Sequence, residues 1–159
     1  MSVSATVLDA EAIGRLLPHR PPLLLVERVT QLELGPQTAI QAELMLAPIH
    51  PVLVGHFPGN PVWPGCYTLE GLAQTCALAG LAASREGPAA ENSAAPPTVF
   101  MAAVKVKLLR PVVPPGVLVY RARHTHRVGE IHRFWVQAVF GNATVAEGTL
   151  DVAVAGRAR

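Results

Sequence analysis

The chain has 159 residues, half of them hydrophobic and 15% charged, so it is long enough to bury one core and too apolar to be disordered throughout. A net charge of +2 gives no argument for nucleic-acid binding, and all of its 13 basic residues except Lys105 and Lys107 are arginine. No basic segment precedes an apolar run at the amino terminus and no charge-free stretch reads as a membrane span, so a single cytoplasmic domain over residues 1–159 is the expectation.

In chain order, residues 8–17 (LDAEAIGRLL) predict a short amphipathic helix stopped before Pro18. Leu23 to Leu34 is rich in Leu and Val and ends at the turn signal Gly35-Pro36. Thr38 to Leu46 alternates, with Ile40, Ala42 and Leu44 opposed to Gln41 and Glu43, so the two stretches predict a first hairpin. A proline-studded loop runs from Pro48 to Pro64. Cys66 to about Ser84 then lacks proline and is apolar almost all round, the pattern of a helix in a core or a membrane, and its polar Thr68, Glu70, Gln74 and Thr75 favour the core. Cys66 and Cys76 fall on that helix about 15 Å apart, beyond disulfide reach, and both are expected to be small buried residues. Residues 85–97 read as loop. Strand patterns follow through Val104 to Leu108, Val117 to Val128, Ile131 to Phe140 and Ala143 to Val154, with turns at Gly129-Glu130 and Gly141-Asn142. Two strands, one buried helix and four more strands imply an α+β domain in which an antiparallel sheet wraps the helix.

The chemistry concentrates between Gly55 and Gln74. Glu70 sits in the second turn of the buried helix, with Gln74 four residues on and on the same face. A carboxylate among apolar neighbours is costly unless it has a partner or a task. His56 lies in a loop whose course three prolines and three glycines constrain. Free amides near Gly65 and Cys66, at the positive end of the helix, suit an oxyanion. A base, an acid and an oxyanion site describe reaction at the carbon beside a carbonyl. The same residues also admit a purely structural account, with His56 holding a loop and Glu70 bonded to Gln74.

GHFPGNPVWPG followed by LEGLAQ resembles the signature of 3-hydroxyacyl-[acyl-carrier-protein] dehydratases of the FabZ type. LLPHRPPLLLVERV (16–29), LLRPVVPPG (108–116) and VAEGTLDVA (145–153) resemble three further blocks of that family, in the right order. The resemblance implies a hot-dog fold, a homodimer or an oligomer of dimers, and an acyl carrier protein bearing a 3-hydroxyacyl chain as partner. It implies no metal, no organic cofactor, no nucleic acid and no membrane insertion. It puts His56 and Glu70 on the catalytic pair, and Gly65 on the residue whose backbone NH holds the thioester carbonyl. The two catalytic residues of one site are then expected from different subunits. Related dehydratase–isomerases carry Asp where this chain has Glu70, which favours dehydration without isomerisation.

Departures from the family pattern fall around the expected acyl tunnel. Pro21, Leu23, Val52 and Leu53 stand where aromatics are usual, while Trp63 and Tyr67 add bulk beside the oxyanion site. Phe57, Trp63, Tyr67 and Gln74 are the candidate tunnel residues, and Trp63 and Tyr67 are expected to shape the acyl site rather than the fold. A hot-dog thioesterase and a non-catalytic partner subunit share the fold, but the paired His56 and Glu70 argue against both. His124, His126 and His132 invite a metal reading. A two-residue turn at Gly129-Glu130 pairs Arg127 with His132 and His126 with Arg133, which would set His124 and His126 on one face and His132 on the other. Arg121, Arg123, Arg127 and Arg133 read as a solvated strand surface, or as a face for an acidic carrier.

Overall fold

The computed structural model describes residues 7–84 and 98–155; the loop expected over 85–97 lies outside them. The expected helix is α1, Ala10–Leu16, begun by Asp9, whose carboxylate accepts from the Ala12 amide at 2.8 Å. The strands are β1 Arg28–Glu33, β2 Ala39–Leu46, β3 Thr98–Leu108, β4 Gly116–Val128, β5 Ile131–Phe140 and β6 Ala143–Ala155. They form one antiparallel six-stranded sheet in the order β1-β2-β4-β5-β6-β3.

Helix α2, Gly65–Ser84, packs across one face of this sheet, and with it the chain has the hot-dog fold. Leu72, Leu78 and Leu81 of the helix pack into a core with Leu118, Tyr120, Phe134, Val136 and Leu150 of the strands. Close approach is possible because Gly71 has no side chain: a Cβ there would lie 2.3 Å from the hydroxyl of the fully buried Tyr120. No helix among the described residues is long and apolar enough to cross a membrane.

Two hairpin turns follow the sequence expectation. Gly129 and Gly141 each take φ +60° at the first central position of a two-residue turn, where a side chain would be strained. The first strand is shorter than expected. Leu25 and Val26 are buried as a strand would bury them, but pairing begins only at Arg28. Ahead of it the backbone is held by α2: the Leu25 amide donates to Gln74 Oε1 at 2.9 Å, and Gln74 Nε2 donates to the Leu23 carbonyl at 2.7 Å.

The chain leaves β2 at one side of the sheet, passes through the proline-rich loop and α2, and enters the sheet again at its far edge as β3. The segment 109–115 then returns to the middle of the sheet to begin β4. Along the way the Leu109 amide bonds to the Val145 carbonyl at 2.7 Å and Val112 pairs with Trp63. This return carries the LLRPVVPPG segment up against the HFPGNPVWPG loop.

Gly148 allows β3 to sit against β6. A Cβ on it would fall 2.1 Å from the Lys105 carbonyl oxygen and 2.8 Å from Val106 Cα, both backbone atoms that cannot rotate away. Gly148→Ala should therefore prise the edge strand off and destabilise the protein by about 3 kcal/mol or more, read as a fall in the urea midpoint. A midpoint unchanged by the substitution would show that the two strands are not packed this closely.

Candidate active site

His56 sits on a small loop closed by its own backbone. Phe57 and Asn60 exchange amide-to-carbonyl bonds of 2.9 Å in both directions, around Gly59 at φ +71°. The Val62 amide donates to the His56 carbonyl at 2.8 Å, and the next residue, Trp63, is pinned to the Val112 carbonyl at 2.8 Å. The imidazole is fixed as well. Nδ1 lies 2.6 Å from the Val62 carbonyl oxygen, which can only accept, so Nδ1 carries the proton and Nε2 presents a lone pair. The Phe57 ring stacks on the imidazole at 4.1 Å and is itself half exposed.

His56 opens onto a cleft of about 280 Å³, lined also by Val62, Trp63, Gly65, Thr68, Leu108, Arg110 and Val112. The first helical amide with an acceptor inside the chain is that of Tyr67, 3.0 Å from the Pro64 carbonyl. The Gly65 and Cys66 amides precede it and have no acceptor among the described residues. They are the free donors of the helix start, where the helix dipole favours negative charge. Leu108 lies over Gly65 so closely that a Cβ there would meet its Cδ1 at 2.4 Å.

Glu70 is elsewhere. At 100° per residue it lies about 200° around α2 from Thr68, so it faces away from the His56 cleft of its own chain. Its Oε1 accepts from Gln74 Nε2 at 2.8 Å and lies 3.4 Å from Nε2 of His19, a residue of the segment just after α1. Nearby, the phenol of Tyr120 is held well above its ordinary pKa, first by burial and then by the negative charges of Glu27 and Glu70. Its hydroxyl has no partner among the described residues.

Of the residues singled out from sequence, the fold thus gathers His56, Trp63 and Gly65 in one cleft and sets Glu70 and Gln74 together on the other side of the helix. Gln74 is almost fully buried and spends its side chain on Leu23, Leu25 and Glu70, the work of a structural tie. Trp63 lines the cleft, yet it is only 2% exposed and belongs to the core, edge-on to His50 and Tyr67. Tyr67 is half-buried beside it. Sequence reasoning missed Thr68, Leu108, Arg110 and Val112 as cleft residues and His19 as a neighbour of Glu70. The last four lay inside blocks already noted for their family resemblance, which is the signal that could have marked them.

Two further expectations need correction. Cys66 is exposed in the first turn of α2, while Cys76 is buried and its thiol pKa is raised by that burial. Arg127 does pair with His132, and His126 with Arg133, but the register shifts between His124 and His126. This bulge turns His124 to the face of His132, their rings 5.3 Å apart, and leaves His126 on the other. Burial, Arg127 and His124 together hold His132 below the ordinary imidazole pKa. No group of three or more metal-ligating side chains occurs among the described residues. On the outer face Arg133 forms a two-pronged pair with Asp151 at 2.6 and 2.7 Å, and Arg123 lies over Trp135.

A family profile described as "FabA-like domain" matches residues 17–149. Among curated proteins, the chain is 43% identical over 154 residues to the 3-hydroxyacyl-[acyl-carrier-protein] dehydratase FabZ of Anaeromyxobacter sp. (strain Fw109-5), covering 97% of this chain and 94% of that protein. It is 37% identical over 151 residues to the FabZ of a Nitratiruptor species, covering 93% and 98% respectively. Among solved structures, the dehydratase heterocomplex ApeI:P from Xenorhabdus doucetiae superposes with a TM-score of 0.68 at 16% identity over 91% of each chain. The fluoroacetyl-CoA thioesterase FlK gives 0.57 at 17% identity, over 74% of this chain and 86% of that one. At such identities these two speak for the fold, whereas the profile and the near full-length FabZ relatives speak for descent: the chain belongs to the FabA-like family.

Proposed function

We propose that this protein dehydrates 3-hydroxyacyl thioesters, carried on acyl carrier protein, to trans-2-enoyl thioesters in fatty-acid or polyketide synthesis. The observation that carries the reading is the pairing, in one cleft, of an imidazole with its Nε2 free and a helix start with its amides free. His56 Nε2 takes the proton from C2. The negative charge that develops on the thioester oxygen is met by the Gly65 amide and the positive end of α2, a kind of contact worth about 10²- to 10³-fold in rate. A glutamic acid protonates the C3 hydroxyl, which leaves as water while the C2–C3 double bond forms. The steps balance without an external oxidant, metal or organic cofactor.

The acid is Glu70 of the partner subunit, since the Glu70 of the same chain faces away from the His56 cleft. A homodimer is supported by β3, an 11-residue strand with one edge unpaired among the described residues. Phe100, Val104 and Leu108 on it are between 42% and 56% exposed, an apolar edge that a soluble protein covers with another chain.

Enoyl-thioester hydration followed by ultraviolet absorbance tests the function. A dehydratase, acting in reverse, bleaches the conjugated absorbance; a thioesterase releases free thiol; a non-catalytic partner subunit does neither. Absence of bleaching by the intact protein with a panel of enoyl chains on carrier protein would sink the reading.

Trp63 bears on which chains are taken. It is the bulkiest side chain of the cleft and is walled in by His50 and Tyr67, so its ring cannot swing aside for a larger substrate. Trp63→Leu should change the ratio of kcat/KM between short and long acyl chains by about three-fold or more. An unchanged ratio with activity retained would place the indole outside the acyl path.

A further inference from the structure

We infer that His19 is a positioning residue for Glu70, holding one carboxyl oxygen so that the other is presented to substrate; this rests on the dehydratase reading of Glu70.

Both groups that reach Glu70 reach the same atom. Gln74 Nε2 donates to Oε1 at 2.8 Å, and His19 Nε2 lies 3.4 Å from it. Nothing among the described residues engages Oε2. A carboxylic acid tethered in this way keeps its second oxygen for the reaction, with the orientation about its terminal torsion already chosen.

The imidazole is poised for that task by its own surroundings. Nδ1 of His19 is buried and has no partner among the described residues. A proton on Nδ1 would be a buried donor with nothing to bind, whereas Nε2 has the Glu70 Oε1 acceptor 3.4 Å away. The neutral ring therefore carries its proton on the Glu70 side. The backbone beneath it is fixed by Arg20, whose guanidinium donates to the carbonyls of Leu17 at 2.9 Å, His19 at 2.7 Å and Gly14 at 3.0 Å. Gln74 adds the second clamp, because it binds Leu23 and Leu25 as well as Glu70. One buried side chain thus sets the distance between the segment that carries His19 and the helix that carries the acid.

The consequence is chemical. When the Oε2 proton passes to the departing hydroxyl, Glu70 becomes a carboxylate, and the His19 and Gln74 donors then bond to a charged acceptor. Hydrogen bonds to an ionised acceptor are shorter and about twice as strong as neutral ones, so the 3.4 Å contact should tighten as the proton leaves. His19 favours the state that follows proton transfer and does not touch the substrate. The Tyr120 phenol lies near enough to feel the Glu70 charge, but its hydroxyl makes no bond to that carboxyl.

Two substitutions of His19, and ring spectra of the wild type and of Glu70→Leu, test the inference on the full chain. His19→Leu keeps the volume and removes the donor; His19→Gln keeps a donor where Nε2 stood. His19→Leu should lower kcat by about 10- to 100-fold, the range for removing a group that orients a reacting one, with KM within about two-fold. His19→Gln should restore at least about a third of wild-type kcat, which a merely space-filling role would not do. A His19→Leu enzyme within about two-fold of wild type, a loss confined to KM, or a His19→Gln enzyme no better than His19→Leu would each overturn the assignment. Long-range ¹H–¹⁵N spectra of the His19 ring decide the contact without turnover. The proton is expected on Nε2, and the Nε2 resonance should move in Glu70→Leu. A proton on Nδ1, or a ring indifferent to Glu70→Leu, overturns the inference even if the dehydratase is active. A wild-type protein that dehydrates nothing would end the dehydratase reading instead, and the ring spectra would still answer for His19.

Discussion

His56→Ala and Glu70→Gln should each fold and each lose at least about 10³-fold in dehydration turnover, because the proposed base and acid act on one transition state. The two substitutions remove different things. His56→Ala deletes the base and its 2.6 Å bond to the Val62 carbonyl, a loss of about 1 kcal/mol from a loop that the Phe57–Asn60 and Trp63–Val112 bonds still close. Glu70→Gln keeps the volume and can keep the bond to Gln74, but an amide has no acidic proton for the leaving hydroxyl. Thermal unfolding within a few degrees of wild type, with turnover gone, is the expected pair of measurements. Either variant that kept more than about a tenth of wild-type turnover on a good substrate would remove that residue from the mechanism.

Much of the fold was legible because the relevant signals are local. The absence of proline and the all-round apolar surface from Cys66 to Ser84 mark a buried helix, and glycine at Gly129 and Gly141 marks the two hairpin turns. Where the reading failed, a distant residue decided. Leu23 to Val26 has the composition of a strand, but the Leu25 amide and the Leu23 carbonyl bond to Gln74, 49 and 51 residues on, and the Leu23 and Leu24 amides bond to Arg20, so pairing waits until Arg28. A single bulged residue at Thr125 reversed the face of His124, and alternation counted from the turn cannot reveal an extra residue. Trp63 could be placed beside the oxyanion site from its neighbours in sequence, but its burial depends on Val112, His50 and the returning 109–115 segment.

The proposed catalytic residues were legible in kind and not in arrangement. His56, Gly65 and Glu70 fall within 15 residues, which suggests one site in one chain. Helical geometry says otherwise: Gly65 and Thr68 share the side that meets His56, whereas Glu70 turns toward His19. The family resemblance implies a shared site, which is the arrangement we propose, and the orientation of α2 is compatible with it. His19 could not have been linked to Glu70 by spacing at all, since 51 residues separate them and only the packing of the 19–25 segment on α2 brings them together.

A mixture of His56→Ala and Glu70→Gln chains, each inactive alone, should regain about a quarter of wild-type activity once their subunits exchange, if sites are shared across a two-fold dimer. In each homodimer both sites lack one member of the pair. In a mixed dimer one site takes its histidine and its glutamate from the two damaged chains and is broken twice, while the other takes both from the intact positions. Random pairing makes about half of all dimers mixed, and half of the sites in those work, which gives the quarter. If chains pair along the β3 edge, as proposed, they must separate and pair again for hybrids to form. Differently tagged chains followed by mass spectrometry show whether they have. Hybrids present in the expected proportion with activity still absent would mean that each chain completes its own site. Glu70 would then have to reach His56 around the helix, and the orientation of α2 relative to the His56 loop, rather than the chemistry, would be what has to be revised.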